Sequence, residues 1–131
     1  MSRRVYVAGG SSERLTIVRP MLDRLRAAGV TITHDWTTCP GFDRESTRLE
    51  QCRWATEDFE GVYNADLLWL ICPAEKSEGA HAELGYAIAR RTPVIVSGPA
   101  TAHHRIFPLL AGMIFPSHAD ALAVVIREAS K

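Results

Sequence analysis

Six consecutive residues, Leu67-Leu68-Trp69-Leu70-Ile71-Cys72, carry no charged or amide side chain, and Asp66 and Pro73 bound them. A run of strand length that is apolar at every position has no solvated face, so it belongs in the middle of a sheet covered on both sides. Parallel sheets flanked by helices cover strands in this way, and the rest of the chain alternates accordingly between strand-length apolar runs and stretches of helical period. Arg4 to Ala8 is a first strand, ending in Gly9-Gly10-Ser11-Ser12. The helix behind it carries Val18, Leu22 and Leu25 on one face and stops at Gly29, with Pro20 marking either a kink or the first turn of its second half. Val30 to Asp35 alternates apolar residues with threonine, as an edge strand does, and a loop from Trp36 to Glu45 follows. From Ser46, the spacing of Leu49, Cys52, Ala55, Phe59 and Val62 predicts one apolar helical face leading to the central run. Past the loop Pro73 to Glu78, a helix over Gly79 to Arg90 turns Ala80, Leu84, Ala87 and Ile88 inward, and Pro93 to Val96 is a fourth strand. Met113 to Phe115 is a short fifth strand. Ser117-His118-Ala119-Asp120 resembles a capping box, opening a helix with Leu122, Ala123, Ile126 and Ala129 inward.

Five such strands joined by right-handed crossovers are expected to form a flavodoxin-like, Rossmann-like α/β sheet of order 2-1-3-4-5 with helices on both faces. The 131 residues, 47% hydrophobic, suit one domain over the whole length, which hides roughly two-thirds of its extended-chain surface without staples. Fifteen Lys and Arg balance fifteen Asp and Glu, so no net field draws the chain to a nucleic-acid polymer or an anionic membrane, and a small-molecule partner is the default. Cys39, Cys52 and Cys72 have neither disulfide-framework nor zinc spacing, so no metal and no cofactor are expected and a reducing cytoplasm fits. The basic start Met1-Ser2-Arg3-Arg4 leads into an apolar run too short for a signal core or a membrane span, which agrees with a soluble protein.

In that strand order the ends of strands one and three form the topological switch point, where open α/β sheets bind ligands. The loops there are Gly9 to Ser12 and Pro73 to Glu78, both rich in small residues, as close approach of backbone N–H groups to an anion requires. Glu83 lies one turn into the helix after the second loop, among Gly79, Ala80, Gly85 and Ala87, where the helix dipole is expected to keep its carboxylate ionised at neutral pH. Asp58, near the end of the preceding helix and beside Trp54 and Phe59, stands against its dipole. Tyr6, two residues before the glycine loop, needs a partner for its hydroxyl if buried. Ser11, Ser12 and Ser77, with Arg14, are hydroxyls and a cation able to hold a phosphate or sugar. Trp36 is either a flat face for a nucleobase or a half-buried cover for the sheet. Asp66 reads as a structural cap, and His103-His104-Arg105 as a basic surface cluster.

Tyr6 with Gly9-Gly10-Ser11, Asp58 followed by Ala65-Asp66 and its strand, and the segment Ser77-Glu78-Gly79-Ala80-His81-Ala82-Glu83-Leu84-Gly85-Tyr86-Ala87 together resemble the nucleoside 2-deoxyribosyltransferase superfamily. The layout is most similar to its 2'-deoxynucleoside 5'-monophosphate N-glycosidases, over about the first hundred residues. The resemblance implies that Glu83 is the nucleophile, that Tyr6 and Asp58 assist it, that Ser77 touches a 5'-phosphate and that the Gly9 to Ser12 loop lines the sugar and phosphate. It also implies a homodimer or larger oligomer. The chemistry suits these residue types: a carboxylate attacks C1' as the N-glycosidic bond breaks through an oxocarbenium-like state, and a second acid protonates the departing base. Water or a second base then takes the sugar. Two rivals stay open: a glutamate-dependent NAD-type glycohydrolase on a similar sheet, and a non-catalytic module that senses a nucleotide in the same pocket.

Overall fold

The computed structural model describes residues 2–99 and 110–131, so the 103–105 cluster lies outside the described residues. Strands β1 (Arg4–Ala8), β2 (Thr31–Ile32), β3 (Leu67–Ile71), β4 (Val94–Ser97) and β5 (Met113–Phe115) form one all-parallel sheet in the order β2-β1-β3-β4-β5. Helices α1 (Arg19–Ala27), α2 (Arg48–Asn64), α3 (Glu78–Ala89) and α4 (His118–Ala129) complete the α/β fold expected from the sequence. Every residue of β3 is buried, as its unbroken apolar run requires. Among the described residues no helix is long and apolar enough to cross a membrane.

Several local expectations are corrected. The edge strand is only Thr31–Ile32: Thr33 still donates its N–H to Val5 O at 2.9 Å, but its hydroxyl turns to Gly61 O on α2 at 2.7 Å and the chain leaves the ladder. Pro20 stands in the first turn of α1, where its missing N–H is harmless, and a wider π turn over Arg14–Val18 leads into it. Helix α2 begins at Arg48 rather than Ser46, because Thr47 and Glu50 form a reciprocal capping box. Its predicted apolar face is mostly outward. Leu49 is 81% exposed, while Gly61 and Val62 are the buried residues of the helix. On α4 the inward row is Ala121, Leu122, Val125 and Ala129, so Ala123 is exposed and Ile126 only partly buried.

The two switch-point loops are pressed together. A Cβ on Gly9 would stand 2.7 Å from Val18 Cγ2, and one on Gly10 would stand 2.8 Å from Pro73 Cβ. Packing alone thus demands both glycines, which also line the cleft at the switch point. Glu13 completes the junction by accepting the Ala74 N–H at 3.1 Å.

Candidate active site

A cleft of about 400 Å³ opens at the carboxyl ends of β1 and β3, between the Gly9 to Ser12 loop and the segment 75–80. A second hollow of about 280 Å³ continues between α2 and α3 past Phe59 and Ala82. Asp58, Glu78, Gly79 and Glu83 border both. A groove of about 340 Å³ lies at the amino ends of the strands, by Arg91, Pro93 and Met113, away from the switch point.

Glu83 and Tyr6 meet inside the protein. The Tyr6 hydroxyl, on a fully buried ring in β1, donates to Glu83 Oε2 at 2.6 Å, and Glu83 itself is 7% exposed. Burial, then the negative charges of Glu83 and Asp58, hold the Tyr6 phenol well above its ordinary range, so it keeps its proton and remains a donor. Burial likewise pushes the Glu83 carboxyl up to about 8; the Tyr6 hydrogen bond opposes this and the Asp58 charge adds to it. The expectation of an ionised Glu83 at neutral pH is thereby corrected. Helix α3 starts at Glu78 behind its N-cap Ser77, which makes Glu83 the sixth helical residue. The dipole acts mainly within the first turn, so desolvation outweighs it.

Asp58 is also placed differently from its sequence reading. Helix α2 continues for six residues beyond it, so the dipole does not single it out. Its partner is His34, whose Nε2 lies 3.1 Å from Asp58 Oδ1. The hydrogen bond to Asp58 raises the half-buried His34 imidazole above its ordinary range against the opposing pull of burial. His34 escaped the sequence analysis. Its signal was its position two residues past an edge strand that pairs with the strand carrying Tyr6.

Between these pairs stands Gly61. A Cβ there would lie 2.7 Å from His34 Cβ and 2.8 Å from Tyr6 Cε2, so α2 reaches both side chains only through the absence of one carbon. Gly79 is the contrary case, for an added Cβ would meet nothing within 4 Å beside the cleft.

Trp36 lies over the sheet and is more deeply buried than a half-buried cover. The ring is 6% exposed and Nε1 donates to Val7 O at 2.7 Å, although it still borders the cleft. Phe42, which the sequence analysis passed over, borders it as well and is 38% exposed. Ser11 and Ser12 are exposed at the cleft, and Ser77 Oγ accepts the Ala80 N–H at 3.3 Å as the N-cap of α3. Arg14 does not join the serines as a free cation: it donates to Ser11 O at 3.2 Å and pairs with Asp43 at 3.5 Å. Among the described lining residues Lys76 is the one cation, against Asp58, Glu75, Glu78 and Glu83. Asp66 is structural, accepting the Arg4 N–H at 2.8 Å. Among the described residues no three His, Cys, Asp or Glu side chains gather as a metal site.

The sheet order and the switch-point cleft, with a phenol bonded to a buried carboxyl beside it, define the class of the protein: a five-stranded parallel α/β fold with an acid-lined cleft at the carboxyl ends of its strands. No family model and no curated protein matches the chain in sequence. Solved structures share its fold. A conserved protein from Enterococcus faecalis V583 matches with a TM-score of 0.68 and 17% identity, over 97% of this chain and 99% of that one. The CMP N-glycosidase BcmB of Clostridium botulinum matches with a TM-score of 0.62 and 16% identity, over 94% and 97%. At these identities the likeness is one of fold.

Two predictions test this geometry. Gly61→Ala is expected to cost about 1–3 kcal/mol in urea unfolding through overpacking, whereas Gly79→Ala, in an open helical position, should gain up to about 1 kcal/mol. Equal effects would contradict the close approach at Gly61. An acid whose folded value of about 8 exceeds its ordinary 4.5 destabilises the fold as it ionises: the cost is absent below pH 4.5, grows up to pH 8 and then stays constant. Glu83→Gln, which can still accept from Tyr6, should therefore melt above the wild type at pH 8.5 and close to it at pH 5, as calorimetry at the two pH values will read.

Proposed function

We propose that the protein cleaves the N-glycosidic bond of a nucleoside or nucleoside 5'-monophosphate, ribo- or deoxyribo-, through a covalent glycosyl ester on Glu83. The observation that carries this reading is the buried Tyr6–Glu83 hydrogen bond at a cleft that Asp58 also borders. A glycosidase of this kind needs one carboxylate aimed at C1' and a second group able to deliver a proton. The fold shared with an enzyme named as a CMP N-glycosidase, and the resemblance of the 77–87 segment to the deoxyribosyltransferases, point the same way.

In this mechanism ionised Glu83 attacks C1', and the bonding pair of the glycosidic bond leaves with the base nitrogen. Asp58 passes the base a proton that the His34 imidazolium replaces across their 3.1 Å contact, and the neutral imidazole so formed takes up, through Asp58, the proton released by the incoming water or base. Tyr6 holds the attacking carboxylate by its other oxygen. Water, or a second base in a transferase, then displaces the sugar and releases Glu83. The serines of the first loop and Ser77 face the sugar and a 5'-phosphate, and Lys76 supplies positive charge for the latter. The outward apolar row of α2, with Leu49, Phe59 and Tyr63 exposed, supports self-association, which a net charge of zero does not oppose.

The test is base release, followed by chromatography, from a panel of nucleosides, their 5'-monophosphates and NAD. Glu83→Ala should abolish it, and retention of a tenth of the wild-type rate would remove Glu83 from the chemistry. Binding without release in the wild type would favour a nucleotide sensor, and cleavage of NAD alone the NAD-type glycohydrolase. The attacking form is the anion, so kcat/KM should climb with pH to a limb near 8, and Tyr6→Phe, which deletes the bond favouring that anion, should move the limb upward. Asp58→Asn and His34→Gln should each slow poor leaving groups more than good ones, and the double variant should be little worse than either alone. Equal losses on both kinds of leaving group would argue against a proton-delivery role.

A further inference from the structure

We propose that Phe42 is the platform on which the planar base of the ligand stacks, with Arg14 as the positioning residue that holds the ring in place. This rests on the nucleotide reading above. Phe42 closes a short 3₁₀ turn, Pro40–Phe42, and is the one substantially exposed aromatic ring among the described residues bordering the cleft. It has no place in the buried core. One face is covered: the Arg14 guanidinium lies 4.5 Å from the ring centroid. Trp36 meets the ring edge-on, with centroids 6.1 Å apart and planes at 64°. Arg14 is itself anchored to Ser11 O and Asp43, so the ring is tied to the first loop from one side and to the sheet, through Trp36, from the other.

The turn behind it is also fixed. A Cβ on Gly41 would stand 2.5 Å from the Trp54 ring, so the backbone lies directly on α2. Such a ring loses little freedom when a second flat group settles on its open face, and a guanidinium above it adds cation–π attraction that further restrains the ring. The alternatives are already occupied. Trp36 is nearly wholly buried with its N–H bonded, and Phe59 stacks on Tyr86 at 5.3 Å away from the main cleft. A stacking platform reads the π-face and not the hydrogen-bonding edge, so it accepts purine and pyrimidine alike and rejects ligands without a base.

Calorimetric binding in the non-cleaving Glu83→Ala background tests this with CMP, AMP and ribose 5-phosphate. Phe42→Ala and Phe42→Leu are expected to weaken CMP and AMP by about tenfold or more, in the range found for single base-stacking contacts, while ribose 5-phosphate changes less than about twofold. Phe42→Trp should restore nucleotide affinity. The platform is overturned if CMP and AMP bind Phe42→Ala as before, or if ribose 5-phosphate loses as much as they do, since the loop and not the stack would then be at work. Failure of all nucleotides to bind, together with no base release by the wild type, overturns the nucleotide reading itself. Base release with affinities indifferent to Phe42 overturns only the platform.

Discussion

The arrangement depends on one hydrogen bond, from the Tyr6 hydroxyl to Glu83 Oε2, made in the interior between a central strand and a helix 77 residues away. Each pKa unit by which the carboxyl is raised is about 1.4 kcal/mol favouring its neutral form. A value of about 8 thus means that ionising Glu83 inside the folded protein opposes a stability that is only about 5–15 kcal/mol for an ordinary domain. A carboxyl placed for solubility or for helix capping would sit in water at no such cost. The phenol limits the penalty because its own pKa is driven up by the same burial, so it remains a donor to the anion over the whole range in which the acid titrates.

Holding that bond sets the packing around it. Tyr6 can lie flat beneath α2 only because Gly61 has no side chain, and the same gap admits His34 to Asp58. The two acids are consequently differentiated by one helix crossing. Glu83 is buried against a neutral donor, whereas Asp58 is half-exposed and faces an imidazole. Two carboxyls near each other in unlike surroundings is the arrangement by which proteins separate the roles of acid and base.

The strand order was legible because β3 is apolar at every residue and the crossovers leave few topologies, and the candidate acids followed from where that order puts the strand ends. What escaped the sequence depended on contacts between distant segments. The row Leu49, Cys52, Ala55, Phe59 and Val62 has true helical spacing, but α2 is turned so that its Gly61 side meets the sheet, and a glycine carries no hydrophobic signal to announce this. His34 passed unnoticed because its partner Asp58 is 24 residues away in sequence and only the fold brings the two together. For Gly9 and Gly10 the sequence carried no sign of the packing demand, because Val18 and Pro73 fill the space their side chains would need. The charge state of Glu83 was misjudged by weighing the dipole, a local property, before burial, which only tertiary structure supplies.

The same distinction separates the walls of the cleft from the buried acid and its donor. Loops bearing Ser11, Ser12 and Ser77 present exposed or half-exposed hydroxyls, and the aromatic wall of Trp36 and Phe42 stands on a long irregular segment. Glu83 and Tyr6, by contrast, project from a regular helix and a central strand that the core packs on. Sequence can therefore change in the loops at less cost to the sheet than in the strands and helices that form its core. A fold shared at 16% identity over nearly the whole chain is consistent with a sheet and core that tolerate such change.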